Sequence, residues 1–235
     1  MNETSETSVV TYLGDRKKER LESGLPDSIS VRSFNVVMCA VLFWGFLVNA
    51  AMVYFWGDRL TALAANLQWW VLLLIYLAPT FAGVIIATYS TKPLVSFIGY
   101  NLVVLPIGLM LAILLPQFPV ETVVKAMSLT AIVTLTMLVL SVSAPQFFLG
   151  LGRTLFVALL VGFIAELVAT FLFGYRGTLF DWIFVIIFSG YIGYDVAKSQ
   201  AFPKTLDNAV DSALDIYLDI INLFIRLLSI LSRNN

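Results

Sequence analysis

Residues 60–91 read LTALAANLQWWVLLLIYLAPTFAGVIIATYST, a stretch without a single Asp, Glu, Lys or Arg. Three further stretches, 33–57, 93–120 and 126–152, are also free of these residues. A helix needs about 20 consecutive apolar residues to cross the hydrocarbon core of a bilayer, and each of these stretches is long enough. The sequence therefore predicts a chain that crosses a membrane several times.

The composition of the whole chain supports this prediction. Sixty per cent of its 235 residues are hydrophobic and 12% are charged, which is about half the charged share of a globular protein. Gly57 and Pro145 mark two of the predicted loops. The predicted helices 1 to 7 cover 34–56, 69–90, 94–115, 122–142, 153–173, 181–200 and 207–231. We expect an all-α polytopic membrane protein with seven transmembrane helices at 34–231, a polar cytoplasmic tail at 1–33 and a short carboxyl-terminal tail at 232–235.

Missing residue types exclude several classes of site. The chain has no histidine, which excludes His-ligated zinc, His-ligated haem and a Ser-His-Asp triad. Its single cysteine, Cys39, can form neither an intrachain disulfide nor a thiolate cluster. The net charge of −1 provides no basic surface for nucleic acid. We therefore expect a membrane protein that is not an enzyme, has no cofactor and binds no nucleic acid.

The distribution of Lys and Arg predicts the orientation of the chain in the membrane, since cytoplasmic loops are enriched in these residues. The tail, the 2–3 loop, the 4–5 loop region and the 6–7 loop hold most of them: Arg16, Lys17, Lys18, Arg20, Arg32, Lys92, Arg153, Lys198 and Lys204. The opposite side holds Arg59, Arg176 and Arg233. This predicts a cytoplasmic amino terminus and an external carboxyl terminus. With no retention signal visible, we expect a bacterial inner membrane.

Helices 6 and 7 differ from the others because they carry charge along one face. Helix 6 has Tyr191, Tyr194, Asp195 and Lys198 at offsets of 0, 3, 4 and 7 residues, which places all four on one side. Helix 7 has an aspartate every fourth residue: Asp207, Asp211, Asp215 and Asp219. Asp219 is at the middle of the predicted helix, where exposure to lipid would cost at least ~2.5 kcal/mol. Helix 7 should therefore be enclosed by other helices.

An acidic cluster of Asp195, Asp215 and Asp219 is the main candidate site. Helices 6 and 7 are consecutive and antiparallel, so their acids face each other near the 6–7 loop. In an ideal hairpin of two helices, Asp219 lies about two helical turns from the height of Asp195, and Asp215 lies closer to that height. Either aspartate could therefore be the partner of Asp195. Glu166 in helix 5 is another acid at membrane depth. Close carboxylates in a low-dielectric site cannot both ionise cheaply.

Two segments resemble a known signature. FSGYIGYD at residues 188–195 and YLDIINLF at residues 217–224 are similar to the carboxyl-terminal signature of the Bax inhibitor motif family of membrane proteins (Bax inhibitor-1-like), and the spacing of Asp195 and Asp219 fits as well. The seven-helix layout fits across most of the chain, although helices 1 to 5 match only in hydropathy and loop length. The resemblance implies a bundle in which helix 7 is central, surrounded by the other six.

The resemblance also implies a function, a pH-sensitive calcium leak. Asp195 and Asp219 would share a proton as pH sensor and gate and would be the calcium ligands, with calcium and protons as the transported or bound ions. Bacterial members pair the helix 6 aspartate with an arginine near the end of helix 2, but this chain has Lys92 there. Lys92, Lys198 and Arg226 are the candidate latch cations, and Asp215 is an acid beyond the signature.

Two other functions compete with the leak. The resemblance permits a regulator that binds another membrane protein, such as a protease or a partner in cell death, without transport of its own. An intramembrane aspartyl protease would need Gly-x-Gly-Asp on its second catalytic helix, whereas this chain has Tyr217-Leu-Asp219. We therefore favour the leak over the regulator and the regulator over the protease.

Overall fold

The computed structural model describes residues 28–175 and 177–233. Most of the predicted cytoplasmic tail, with Arg16, Lys17, Lys18 and Arg20, lies outside the described residues, as do Arg176 and the last two residues of the predicted tail at 232–235. The helices are numbered α1 to α7 in chain order.

The described residues form seven α-helices with no strand, as predicted. They are α1 (Val31–Ala64), α2 (Trp69–Tyr89), α3 (Pro93–Leu114), α4 (Val120–Ser143), α5 (Pro145–Phe173), α6 (Leu179–Ala201) and α7 (Leu206–Arg233), with a short 3₁₀ turn at Leu115–Gln117 between α3 and α4. Six of them, α1 to α6, are long and apolar enough to cross a membrane, whereas the charge on α7 excludes it from that set. This confirms an all-α polytopic membrane protein.

Two helix boundaries differ from the prediction by eight residues each. Helix α1 continues through Gly57 and ends at Ala64, because a glycine inside a helix costs only about 1 kcal/mol when packing supports the helix. Helix α5 begins at Pro145, eight residues earlier than predicted. Proline has no N–H to lose at the first helical position, so Pro145 starts this helix instead of marking a loop.

Helix α7 lies at the centre of the bundle, as the resemblance implies. More than half of its residues are buried, and it packs mainly against α1, α3, α4 and α6. The two remaining helices are outer ones, since α2 packs on α3 and α5 on α6. Only Gly83 and Ala87 of α2 and only Phe148 and Leu155 of α5 are buried. The bundle therefore has an enclosed central helix and two helices that present most of their surface outward.

Small residues allow the outer helix α2 to approach α3 closely. A Cβ atom at Gly83 would lie 2.5 Å from the carbonyl oxygen of Gly99, and one at Gly99 would lie 2.7 Å from the carbonyl oxygen of Gly83. Backbones in such contact gain van der Waals energy, which is the main source of helix association in lipid. An alanine at either position would force the two helices apart.

The two ends of the bundle differ in the chain segments that they bring together. The backbone N–H of Ile29, just before α1, donates to the carbonyl oxygen of Lys204 in the 6–7 loop over 2.7 Å. We call this end the amino-terminal face and the opposite end, where α7 finishes, the carboxyl-terminal face. The ammonium group of Lys204 donates to the carbonyl oxygens of Ser199, Gln200 and Phe202. It therefore caps the negative end of the α6 dipole.

Candidate functional site

Asp195 of α6 and Asp219 of α7 face each other inside the bundle. Their carboxyl groups are within hydrogen-bonding reach of each other, and each residue is only 7% exposed. Oδ2 of Asp219 is buried and has no hydrogen-bond partner among the described residues. Of the two aspartates that the sequence left open as partner of Asp195, Asp219 is the one whose carboxyl lies beside it.

Lys198 connects this pair to the third acid, Asp215. The ammonium nitrogen of Lys198 lies 2.6 Å from Oδ2 of Asp215 and 3.3 Å from Oδ1 of Asp195. Asp215 is the most exposed member, with 41% of its side chain accessible, against 21% for Lys198. We name the four residues Asp195, Lys198, Asp215 and Asp219 the aspartate cluster. The structure brings together all three acids of the predicted cluster and one of the three candidate latch cations.

Asp219 lies at the same height in the bundle as Asp195 because α7 is shifted along α6. In an ideal antiparallel hairpin, the residue of α7 opposite Asp195 would lie two helical turns before Asp219. The first turns of α7 extend past the end of α6, and there Ser96 of α3 donates to Oδ1 of the buried Asp207 over 2.6 Å. Packing against α3 therefore sets the register of α7, which the loop length alone could not reveal.

Aromatic and aliphatic side chains separate the aspartate cluster from the carboxyl-terminal face. Phe184 and Phe188 of α6 stack with their ring centroids 6.0 Å apart. They pack with Ile187, Ile192, Leu223 and Leu227 into one buried apolar group. We call this group the apolar layer. The apolar layer follows the aspartate cluster along the same two helices.

A second charged group lies beyond the apolar layer. Arg226 of α7 donates through both terminal nitrogens to Glu166 of α5, over 2.6 and 2.8 Å, and also to Oδ1 of Asp181 over 3.0 Å. Ser229 donates to Oδ2 of Asp181 over 2.9 Å. We name Glu166, Asp181 and Arg226 the arginine cluster. Two predicted site residues, Glu166 and Arg226, thus pair with each other and not with Asp195.

Sequence reasoning missed Asp181 as a member of this group. Its position suggests a helix N-cap, but Thr178 occupies the N-cap position of α6 and Asp181 lies in the first turn. Its side chain is turned inward, only 6% exposed, toward Arg226. One feature of the sequence could have indicated this pair. Helices α6 and α7 are consecutive and antiparallel, so an acid near the start of α6 and a base near the end of α7 lie at the same end of the bundle.

The third candidate latch cation, Lys92, is remote from both clusters. It is exposed at the N-cap of α3, and it makes no ion pair with any acid of the described residues. Lys198 therefore provides the positive charge beside Asp195 in this chain. Because Lys198 and Asp195 are three residues apart on one helix, this contact needs no help from α2.

The aspartate cluster offers few free oxygen ligands to a metal ion. Within residues 28–175 and 177–233, no group of three or more acidic or cysteine side chains is arranged to hold a metal. Asp215, which would be the third carboxylate, is already bound to Lys198. Two carboxylates with one unpartnered oxygen remain, fewer ligands than the six to eight oxygens that calcium takes when bound.

Comparison with known proteins places the chain in a family. The family model described as inhibitor of apoptosis-promoting Bax1 matches residues 30–235. An uncharacterised membrane protein of Streptococcus pyogenes serotype M3 is 32% identical over 135 residues, covering 54% of this chain and 59% of the relative. An uncharacterised protein of Helicobacter pylori strain 26695 is 32% identical over 112 residues, covering 46% of each chain. The chain thus spans about half the length of the curated relatives it matches.

Six apolar helices and relatives named as membrane proteins establish an integral multi-pass membrane protein. The matching model covers nearly all of the described residues, including both the aspartate cluster and the arginine cluster. It is not the model of a known enzyme family. The chain belongs to the Bax inhibitor family of membrane proteins.

Proposed function

We propose that this protein is a pH-sensitive calcium leak whose gate is the carboxyl pair of Asp195 and Asp219. One observation carries the proposal: two buried carboxyls from consecutive helices lie within hydrogen-bonding reach, and one oxygen of Asp219 has no partner among the described residues. An ionisable group at membrane depth is costly and is retained where it has a function. Asp219 is at the middle of α7, so the pair lies far from both ends of that helix.

A shared proton would hold the gate closed. When one carboxyl is protonated, its O–H donates to the other carboxylate and ties α6 to α7. When that proton is lost, two adjacent negative charges repel each other across the helix interface. The same two groups then offer hard oxygen ligands to calcium. Protons and calcium compete for the pair in this mechanism, so calcium flux should rise with pH.

Calcium uptake by reconstituted protein tests the proposal. Proteoliposomes loaded with a calcium-sensitive dye would receive external calcium at a series of pH values between about 5 and 8, the range that brackets carboxyl and near-neutral titrations. We expect flux to rise with pH in the wild type. Asp219→Asn should stay low at every pH, because its amide can donate permanently to Asp195. A hydrogen bond to a charged group is worth about 1.5–3 kcal/mol, so a reduction of about tenfold or more is expected.

Glu121→Gln provides the matched control for this experiment. Glu121 is an acid near the start of α4 whose side chain is 78% exposed and pairs with Lys125 over 2.7 Å. Its amide variant should keep the flux and the pH response of the wild type. Flux no greater than that of protein-free liposomes, or an Asp219→Asn variant with the wild-type pH curve, would contradict the proposal.

We also propose an orientation and a location for the chain. Its relatives include proteins of Streptococcus pyogenes and Helicobacter pylori, which supports a bacterial inner membrane. The Lys and Arg distribution supports a cytoplasmic amino terminus. A reporter fused at Asn235 should be active only outside the cytoplasm, and a cytoplasmic reporter would contradict the proposed orientation.

A regulator that binds another membrane protein is the second candidate function. The description of the matching family, inhibitor of apoptosis-promoting Bax1, names a protein as the target, and this favours the candidate. Such a role predicts proteoliposomes that take up no calcium at any pH. It also predicts that Asp219→Asn leaves the cellular phenotype unchanged.

A further inference from the structure

The α6–α7 interface has three successive layers between the two faces of the bundle. The aspartate cluster is nearer the amino-terminal face, the apolar layer follows, and the arginine cluster comes last. Asp219 and Arg226 are seven residues apart, so they lie on one side of α7, about 10 Å apart along the helix axis. Asn222 lies between them on that side. A cation that leaves the aspartate cluster toward the carboxyl-terminal face therefore meets Arg226.

Arg226 is held by side chains of two other helices. Glu166 of α5 binds both of its terminal nitrogens, and Asp181 of α6 binds one of them. The guanidinium carbon also lies 4.2 Å from the ring centroid of Phe184, the member of the apolar layer nearest to it. Only 22% of the Arg226 side chain is exposed. These contacts fix a positive charge directly against the apolar layer.

This arrangement also joins the outer helix α5 to the central helix. Helix α5 packs on α6 and contributes little buried surface of its own. The bidentate pair between Glu166 and Arg226 is a direct polar link from α5 to α7, and bidentate arginine–carboxylate pairs are strong and geometrically specific. If that link opens, α5 loses a direct tie to α7 near the carboxyl-terminal face.

We propose that Arg226 closes the leak path at its carboxyl-terminal end as a clasp that holds α5 and α6 against α7. The proposal rests on the proposed function, because it assigns a second constriction to the same path. It differs from the gate at Asp195 and Asp219 in one respect. The clasp is held by groups of opposite charge, so it sets the size of the flux and not its dependence on pH.

Neutralising Arg226 tests the clasp. In the calcium uptake assay, Arg226→Gln should raise the flux about tenfold at a fixed pH, since each ~1.4 kcal/mol by which the clasp favours the closed arrangement changes the open population tenfold. The midpoint of the pH–flux curve should stay where it is in the wild type. The control is Arg59→Gln, which alters an exposed arginine of α1 and should leave the flux unchanged. A folded Arg226→Gln variant with wild-type flux would overturn the proposal, and so would a shifted midpoint.

Two further variants keep the test decisive if Arg226→Gln folds poorly. Removing Arg226 alone leaves Glu166 without its cation and Asp181 with only the more distant Arg233, 3.8 Å away, which is destabilising. The triple variant Glu166→Gln/Asp181→Asn/Arg226→Gln removes all three charges together and should show the same increase in flux. The exchange Glu166→Arg/Arg226→Glu should return the flux toward the wild-type value. If neither neutral variant folds, Arg226 has only a structural role and the proposal is wrong.

Distance measurements separate this proposal from the function on which it rests. With the exposed Cys39 changed to serine, spin labels can be placed at Tyr54 of α1 and Phe171 of α5, which are 82% and 80% exposed. Arg226→Gln should lengthen or broaden this distance. A reference pair toward the amino-terminal face, Val36 and Phe147, is also exposed and should not change.

The flux and the distance together distinguish failure of the clasp from failure of the calcium leak. A longer Tyr54–Phe171 distance without calcium flux in any variant would overturn the calcium leak and support the clasp. An unchanged distance together with unchanged flux would overturn the clasp. Changes in both, with the wild-type pH midpoint, are the result that the proposal predicts.

Discussion

The aspartate cluster and the arginine cluster lie on the same two helices, yet their hydrogen bonding differs. In the arginine cluster, opposite charges from α5, α6 and α7 meet, and Arg226 reaches both carboxylates at 3.0 Å or less. In the aspartate cluster, two like groups meet and one oxygen of Asp219 has no partner among the described residues. The hydrogen bonds of the arginine cluster need no additional proton. In the aspartate cluster, a hydrogen bond between Asp195 and Asp219 requires that one of them is protonated. This difference suggests that one cluster fixes the helices and the other can switch.

The largest expected effect comes from breaking the arginine cluster. Arg226→Gln leaves Glu166 without its cation and Asp181 with only Arg233, 3.8 Å away. Removing one partner of a buried ion pair costs about 3–5 kcal/mol. Because a quarter of the Glu166 side chain is exposed, we expect a value near the lower limit. Thermal unfolding in detergent should show it as a lower Tm, with Arg59→Gln as control. An unchanged Tm would mean that the arginine cluster does not fix the helices.

Removing one of the like charges of the aspartate cluster should stabilise the protein instead of destabilising it. Asp219→Asn removes the repulsion between two ionised carboxyls, so the variant should be more stable than the wild type at alkaline pH, by about 1–2 kcal/mol. The gain should vanish at acid pH, where the wild type already has its shared proton. Denaturation of both proteins at an alkaline and at an acid pH measures the gain in stability and its loss. A variant that is less stable than the wild type at alkaline pH would show that the two carboxyls do not repel each other.

The role of Lys198 in the aspartate cluster can be tested with Lys92 as the control. Lys198→Met removes the positive charge 3.3 Å from Oδ1 of Asp195, so the ionised form of the pair loses support. The midpoint of the pH–flux curve should move to higher pH by about one unit. Lys92→Met changes an exposed cation without an ion pair among the described acids and should not move it. Equal shifts in both variants would mean that general surface charge, and not Lys198, sets the midpoint.

The smallest expected effect concerns Asp215, the most exposed acid of the cluster. Asp215→Ser frees Lys198 to interact with Asp195 alone, which favours the ionised pair. The midpoint of the pH–flux curve should therefore fall, by only a few tenths of a unit, because partly exposed ion pairs are weak. Flux measured at closely spaced pH values would detect it. A midpoint that rises or stays at the wild-type value would contradict this prediction, because losing a nearby negative charge and freeing Lys198 both favour the ionised pair.

Much of the fold could be predicted because hydropathy and charge act locally. The uncharged stretches indicated the positions of the helices, and the cost of placing Asp219 in lipid indicated the central position of α7. The same reasoning misplaced the starts of helices where a residue has two roles, as at Pro145, which punctuates loops but also begins helices. Such a position is decided by packing around it, which the local sequence does not contain.

The candidate site was only partly predictable for a related reason. The offsets along α6 and α7 identified Asp195, Asp215 and Asp219, but the register between the helices depends on contacts such as that of Ser96 with Asp207, 111 residues apart. The link between Glu166 and Arg226 spans 60 residues and has no periodic signal. The local rule for helix caps suggested an N-cap at Asp181, but α6 begins two residues earlier and the Asp181 carboxylate pairs with Arg226.

The central claim is that Asp195 and Asp219 act as one unit that shares a proton. The most direct test is the pH dependence of calcium uptake for Asp195→Asn, Asp219→Asn and the double variant, measured beside the wild type. Because either change removes the shared proton site, we predict that each single variant loses the pH response completely and that the double variant loses no more. Single variants that each keep part of the response, with losses that add in the double variant, would contradict this claim, since groups that titrate independently behave in that way.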